Sequence, residues 1–202
     1  IYQKNKLDDY SKYYPQNYYS FDLQKLAARS LKQSFRIFKK RSRDNYYFFK
    51  TGIMGKLLSL FRDETATHPS RHITFHRSMF ILDVGCGAGE YISDMAEIGF
   101  KHVYGLDPFV AQSRIFKNGA KIFRGDIEKF LMENPYQVSG FDLIIFNHSF
   151  EHSPQPLKEL EFAKKLLKPE GKILVRIPVS ASYASDTYGK YWFQLDAPRH
   201  IY

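Results

Sequence analysis

Three glycines at alternate positions, Gly85, Gly87 and Gly89, follow a carboxylate at Asp83 in the run Ile81-Leu82-Asp83-Val84-Gly85-Cys86-Gly87-Ala88-Gly89-Glu90. Glycines spaced this way let a chain turn sharply and bring bare backbone against a ligand at the start of the next helix. A pyrophosphate cradle would want G-x-G-x-x-G, and the position of its third glycine, 90, is here a glutamate. Asp83 suits a cationic or amine-bearing ligand and would repel pyrophosphate. Asp107, in Gly105-Leu106-Asp107-Pro108, lies 18 residues after Gly89, where a carboxylate can accept hydrogen bonds from both hydroxyls of a ribose. Asp126, in Arg124-Gly125-Asp126-Ile127, can accept from an adenine amino group, with Phe109 and Ile127 placed to sandwich the ring. Cys86 sits between two glycines, where small size is reason enough for it, and nothing marks it as a nucleophile.

A second group of reactive side chains follows in Asn147-His148-Ser149-Phe150-Glu151-His152. His148, Glu151 and His152 stand at i, i+3 and i+4, so one helical turn would gather them as metal ligands, with His200 available as a fourth.

All these residues fall where short apolar runs end. Strand-like runs cover 79–84, 102–106, 121–123, 141–146 and 172–178, and helical patterns lie between them at 90–98, 110–116, 127–133 and 156–167. The last helix stops at Lys168-Pro169-Glu170-Gly171, a turn signal. Strands alternating with helices predict parallel pairing through right-handed crossovers. The expected fold is therefore α/β, a doubly wound, mostly parallel sheet, with ligand groups on its carboxyl edge.

The N-terminal part has another character. Residues 1–80 hold 16 Lys and Arg against 6 Asp and Glu, a net of +10, whereas residues 81–202 hold 14 against 15, a net of −1. Residues 1–20 read as an irregular Tyr-rich arm. From Ser20, as N-cap, a helix is expected to bury Leu23, Ala27, Leu31, Phe35 and Phe38 and to present Lys25, Arg29, Lys32, Arg36 and Lys40 on a solvated face. That basic face could also meet an acidic membrane surface; nucleic acid is not expected, since no RNA-binding module is recognisable. A short helix is expected over 53–61 and a linker over 63–71. The division is a basic helical extension, 1–70, and a ligand-binding domain, 71–202. One cysteine in 202 residues excludes a disulfide framework and points to a reducing, cytoplasmic setting, and no apolar run is long enough for a membrane span.

The motifs at 81–89, 105–108, 125–127, 141–152 and 167–178 resemble the successive motifs of class I S-adenosylmethionine-dependent methyltransferases, whose sheet is Rossmann-like. Glu151-His152, and Trp192 followed by Asp196-Ala197-Pro198-Arg199-His200, are similar to the branch that includes the ubiquinone-biosynthesis O-methyltransferases. The resemblance spans about residues 79–202. It implies S-adenosylmethionine as cofactor, with Asp83, Gly85 and Gly87 at its methionine end, Asp107 and Pro108 at the ribose, Asp126 and Ile127 at the adenine, and Asn147 beneath the methyl group. Cys86 and Gly89 complete the implied cofactor-binding set. It also implies a small-molecule or glycan acceptor, expected to be methylated at a hydroxyl with carbon and nitrogen left open; transfer to a hydroxyl needs a base, and His152 or His200 is expected to fill that role. Some of these relatives bind a divalent ion through Glu-x-x-Glu-His, of which His148 replaces the first glutamate; many with Glu-His bind none, and none is expected here.

The family's closing antiparallel hairpin needs more than the 24 residues after position 178, so the chain is expected to be part of a longer one. Tyr188, Tyr191, Trp192 and Phe193 are expected to form an aromatic lid, or to be a run exposed by the missing strands. Two rivals remain: a nicotinamide-dependent oxidoreductase, opposed by Glu90 and Asp83, and a non-catalytic module that kept the fold and binds a membrane or RNA.

Overall fold

The computed structural model describes residues 31–60, 73–134 and 140–192. The Tyr-rich arm, Ser20, Leu23, Lys25, Ala27, Arg29, the linker at 63–71, Phe193 and the run from Asp196 to His200 lie outside the described residues. Fourteen elements follow in order. Helices α1 (Leu31–Phe49) and α2 (Ile53–Ser59) precede β1 (Phe80–Val84), α3 (Glu90–Glu97), β2 (His102–Asp107), β3 (Arg114–Ile115) and β4 (Lys121–Arg124). Then come α4 (Ile127–Glu133), β5 (Phe141–Asn147), a 3₁₀ turn (Phe150–His152), α5 (Pro156–Leu166), β6 (Leu167–Arg176), α6 (Tyr183–Tyr188) and a second 3₁₀ turn (Gly189–Tyr191).

The strands form one six-stranded sheet in the order β3-β4-β2-β1-β5-β6. All its pairings are parallel except β3 with β4. Central parallel strands are covered on both faces, which is why β1, β2 and β5 read as nearly unbroken apolar runs. Ile81, Val103, Ile122 and Leu143 meet Ile92 and Met95 of α3 on one face; Leu82, Leu106, Ile144 and Phe146 meet Phe130 of α4 and Leu166 of α5 on the other. From β1 the chain winds outward through β2 to β4, then returns to β5 on the opposite side of β1. The carboxyl ends of β1 and β5 therefore flank the switch point, where open sheets of this kind leave a crevice.

Helix α1 joins the first face through its last turn. Phe48 meets Phe75 edge-on at 4.8 Å between ring centroids, and Phe49 lies 4.8 Å from Phe100. Arg77 holds this corner: its guanidinium sits 4.1 Å from the Phe49 centroid and donates to the Ile98 carbonyl at 2.6 Å and to Asn45 Oδ1 at 2.9 Å. Higher on α1, Lys40 pairs with Asp94 at 2.8 Å and Arg41 with Glu97 at 3.2 Å, both on α3.

Four expectations change. Residues 110–116 are not helical; they lead into β3, which pairs antiparallel with β4 across Lys117-Asn118-Gly119. Asn118 Oδ1 accepts from the Ala120 N–H, Gly119 takes φ +90°, and Phe116 N–H donates to the Ala120 carbonyl at 2.8 Å, so hairpin chemistry overrides the apolar spacing. Phe35 and Phe38 are more than half exposed, because α1 meets the domain only lower down, and Lys40 turns from the expected solvated face to α3. Helix α2 ends at Ser59. Strand β6 runs from Leu167 to Arg176 rather than over 172–178, and the expected turn at 168–171 is instead an irregularity of register between the pairs Phe141↔Leu167 and Leu143↔Lys172.

Gly55 fixes how α2 lies on α1. It is buried, and a Cβ there would collide with the Ser42 carbonyl oxygen and with Tyr46. Gly55→Ala is expected to cost about 1–3 kcal/mol, read as a drop of several degrees in the thermal unfolding midpoint.

Candidate functional site

The end of β1 turns through Gly85 (φ +77°), Gly87 (φ +53°) and Gly89 (φ +82°), all in the left-handed region. Gly85 could carry no other side chain even in a relaxed turn, since a Cβ there would collide with Ser149 on the loop after β5. The Gly85 and Cys86 N–H groups donate to the Leu106 carbonyl at 2.8 and 3.0 Å, which ties the turn to β2. Gly89 caps α3, with Glu90 in the first turn, so a carboxylate stands where an anionic ligand would otherwise be drawn.

Asp107 closes the next strand and is 5% exposed. Its Oδ2 accepts from the Gly87 N–H at 2.9 Å and its Oδ1 from the Phe109 N–H at 2.8 Å. Burial raises its pKa against the opposing pull of those backbone donors. The Val110 N–H acts on the same carboxylate as a third backbone donor, so of its roughly four acceptor positions about one remains for a ligand hydroxyl. Asp83 is 2% exposed, and its Oδ1 has no hydrogen-bond partner. Burial, and then the charge of Asp107, push its pKa up to about 8. Two buried acids share this strand edge, one with an unmatched acceptor. The arrangement fits a ligand that brings an ammonium group and sugar hydroxyls, and it resists phosphate.

The Gly125 N–H donates to the Asp107 carbonyl at 3.2 Å, which brings the β4 end alongside. Asp126 is exposed and caps α4, its Oδ1 accepting from the Lys129 N–H at 2.8 Å. Ile127 packs into the core at 2% exposure, whereas Phe109 is 42% exposed. Of the pair expected to sandwich a ring, Phe109 is thus the side chain at the surface, and Ile127 belongs to the packing beneath. Pro108 is exposed beside it.

Beyond β1, Asn147 ends β5. His148 takes φ +56°, uncommon for a side chain with a Cβ, and its N–H donates to the Arg176 carbonyl at 2.8 Å. Ser149 Oγ donates to the Val84 carbonyl at 2.5 Å, bracing this loop on the glycine turn. Glu151 is 2% exposed, with Oε1 3.7 Å from His148 Nδ1. His152 is half-buried. The expected helical turn from His148 does not form: His148, at φ +56°, and Ser149 precede a 3₁₀ turn that covers only Phe150–His152. Among the described residues no three His, Cys, Asp or Glu side chains gather as a metal site. Trp192 is buried, while Tyr188 and Tyr191 are exposed.

Two supports had no clear signature in the sequence. One is Ser149. The other is Arg114 on β3, which donates through Nη2 to the Ala88 carbonyl inside the glycine turn and rests 4.4 Å from the Phe116 ring centroid. The Asn118-Gly119 hairpin signal, given more weight, would have placed Arg114 on a strand beside β4.

One protein family, described as a methyltransferase domain, matches residues 55–202. The tRNA U34 carboxymethyltransferase of Cellvibrio japonicus is 31% identical over 109 residues, 52% of this chain and 34% of that protein. The ubiquinone biosynthesis O-methyltransferase of Vibrio cholerae is 33% identical over 100 residues, 46% of this chain and 39% of that protein. Among solved structures, a SAM-dependent methyltransferase from Archaeoglobus fulgidus aligns at a TM-score of 0.45 and 20% identity, over 68% of this chain and 64% of that one. The match to each of the two curated relatives spans between a third and two-fifths of the relative's length.

Proposed function

Because the chain belongs to the methyltransferase-domain family that its residues 55–202 match, we propose that it transfers a methyl group from S-adenosylmethionine to a hydroxyl of a small molecule or glycan. The observation that carries this reading is the buried pair Asp83 and Asp107 over a left-handed glycine turn, at the ends of adjacent parallel strands. Asp83, with Gly85, Cys86, Gly87 and Gly89, would take the methionine end; Asp107 and Pro108 the ribose; Asp126 and Phe109 the adenine, with Ile127 in the packing beneath; and Asn147 the floor below the reacting carbon. When bound, S-adenosylmethionine supplies an electrophilic methyl on a sulfonium.

The chain's own task is to hold donor and acceptor in line and to remove the acceptor's proton. His152 and His200 are the proposed bases. His148, next to Asn147 at the end of β5, joins them as a third candidate, with Glu151 Oε1 3.7 Å from its Nδ1. The name of the Vibrio cholerae relative, an O-methyltransferase, supports an oxygen acceptor. The name of the Cellvibrio japonicus relative gives a second acceptor class, a tRNA base, and the basic residues 1–80 are the feature that favours it.

Calorimetric titration with S-adenosylhomocysteine and with NAD tests the cofactor. One site for the former and none for the latter is expected, and the reverse would replace this reading with an oxidoreductase. Of the three imidazoles, alanine at the true base is expected to cut turnover by roughly a hundredfold or more with cofactor affinity unchanged. Unchanged turnover in all three variants would remove the imidazole-base mechanism.

A further inference from the structure

Helix α2 turns its apolar side away from the protein. Gly55 faces α1, where a Cβ would strike Ser42. Ile53 is 82% exposed, Met54 51%, Leu57 49% and Leu60 73%. At about 100° per residue these four fall within an arc of roughly 120°, nearly opposite Gly55. Leu60 continues the helical backbone as the C-cap. Four large aliphatic side chains in eight residues make a stripe, not the scattered exposure that any surface carries.

The charge around the stripe has one sign. Residues 31–60 contain eight Lys and Arg against Asp44 alone. Lys40 and Arg41 are engaged with α3, but Arg36, Lys39, Lys50 and Lys56 are exposed. Lys56 borders the apolar arc, and Lys50 precedes α2. No helix among the described residues is long and apolar enough to cross a membrane.

We propose that α2, with the basic residues beside it, lies flat on a bilayer containing anionic lipid, its Ile53, Met54, Leu57 and Leu60 entering the acyl boundary. A short helix with an apolar stripe rimmed by lysines has the make-up of an interfacial anchor. Aliphatic side chains favour acyl chains over nucleic acid, where recognition of single strands relies on aromatic stacking. A second copy of this surface would bring like charge against like charge. This inference goes beyond the catalytic reading and does not depend on the acceptor.

The test is flotation of the whole chain with vesicles of phosphatidylcholine alone or with about one-third phosphatidylglycerol. Partition into the anionic vesicles is expected to exceed that into neutral ones at least tenfold and to fall with added salt. The triple variant Ile53→Ser, Leu57→Ser, Leu60→Ser and the charge variant Lys50→Glu, Lys56→Glu are each expected to lose at least tenfold of that partition. Both should keep the wild-type unfolding midpoint, since every altered side chain is exposed. Equal partition into both vesicle types, no partition, or an undiminished triple variant would overturn the proposal. So would a triple variant that changes only the mass seen by light scattering, which would assign the stripe to a second copy.

Discussion

Asp107→Ala is expected to weaken S-adenosylhomocysteine binding by at least about a hundredfold, the largest loss of any single substitution at the proposed cofactor site. The carboxylate does two jobs. It would accept from a ribose hydroxyl, and it already accepts from the Gly87 and Phe109 N–H groups. Alanine leaves both backbone donors without that acceptor in a buried position, so stability should also fall, by about 1–3 kcal/mol. Asp126→Ala makes the contrast. That residue is exposed and its structural duty is one helix cap, so a loss of about 1 kcal/mol in stability and a smaller loss of affinity are expected. Titration calorimetry and thermal unfolding on the two variants read both quantities. Equal losses of affinity would mean that Asp107 has no privileged place at the ribose.

Asp83→Asn is expected to pull stability and affinity in opposite directions. In the folded protein the Asp83 carboxyl titrates near 8, far above the usual carboxylate range. Below pH ~4 it is neutral in folded and unfolded chains alike, and its contribution to stability is fully present. As pH rises from there through 8, the unfolded chain gains by ionising first, and that stability is lost. Asparagine cannot ionise, so at pH ~9 the variant should be the more stable protein, by on the order of a few kcal/mol, while near pH ~4 the two should converge. Cofactor binding should move the other way. An ammonium group beside Asp83 favours the carboxylate, so wild-type binding near neutrality should release a proton, seen as a heat that varies with the buffer's ionisation enthalpy. The variant should show no such release from this residue and should bind roughly ten- to a hundredfold more weakly at pH ~8. A variant that melts like wild type at alkaline pH and binds with the same buffer dependence would mean Asp83 faces no ligand.

Much of the sheet can be read from the residues because its strands are buried on both faces. The runs that became β1, β2 and β5 are apolar in near-continuous stretches, and α4 matches its expected bounds because Asp126 caps it and Phe130 anchors it. The hairpin carrying Arg114 was missed for a definite reason. Ala111 and Ile115 stand four apart, as on one side of a helix, and the Asn118-Gly119 turn signal speaks against one. On α1, periodicity reveals an apolar side but not whether anything lies against it, and Phe35 and Phe38 stand exposed. Within the site, sequence spacing shows which carboxylates and glycines end strands. It does not show that Asp83 and Asp107 are buried close enough for one charge to raise the other's pKa. Nor does it distinguish Ser149 from any other serine, since its role comes from the approach of β5 to β1.

That approach has a thermodynamic consequence. Ser149 Oγ is bonded to the Val84 carbonyl, and its Cβ occupies the space that any side chain at position 85 would need. The loop bearing His148 and Glu151 is therefore seated on the turn proposed for the methionine end, with no soft layer between them. Ligands on the two halves are therefore expected to be coupled, and whatever factor the nucleoside adds to acceptor affinity, the acceptor must return to the nucleoside.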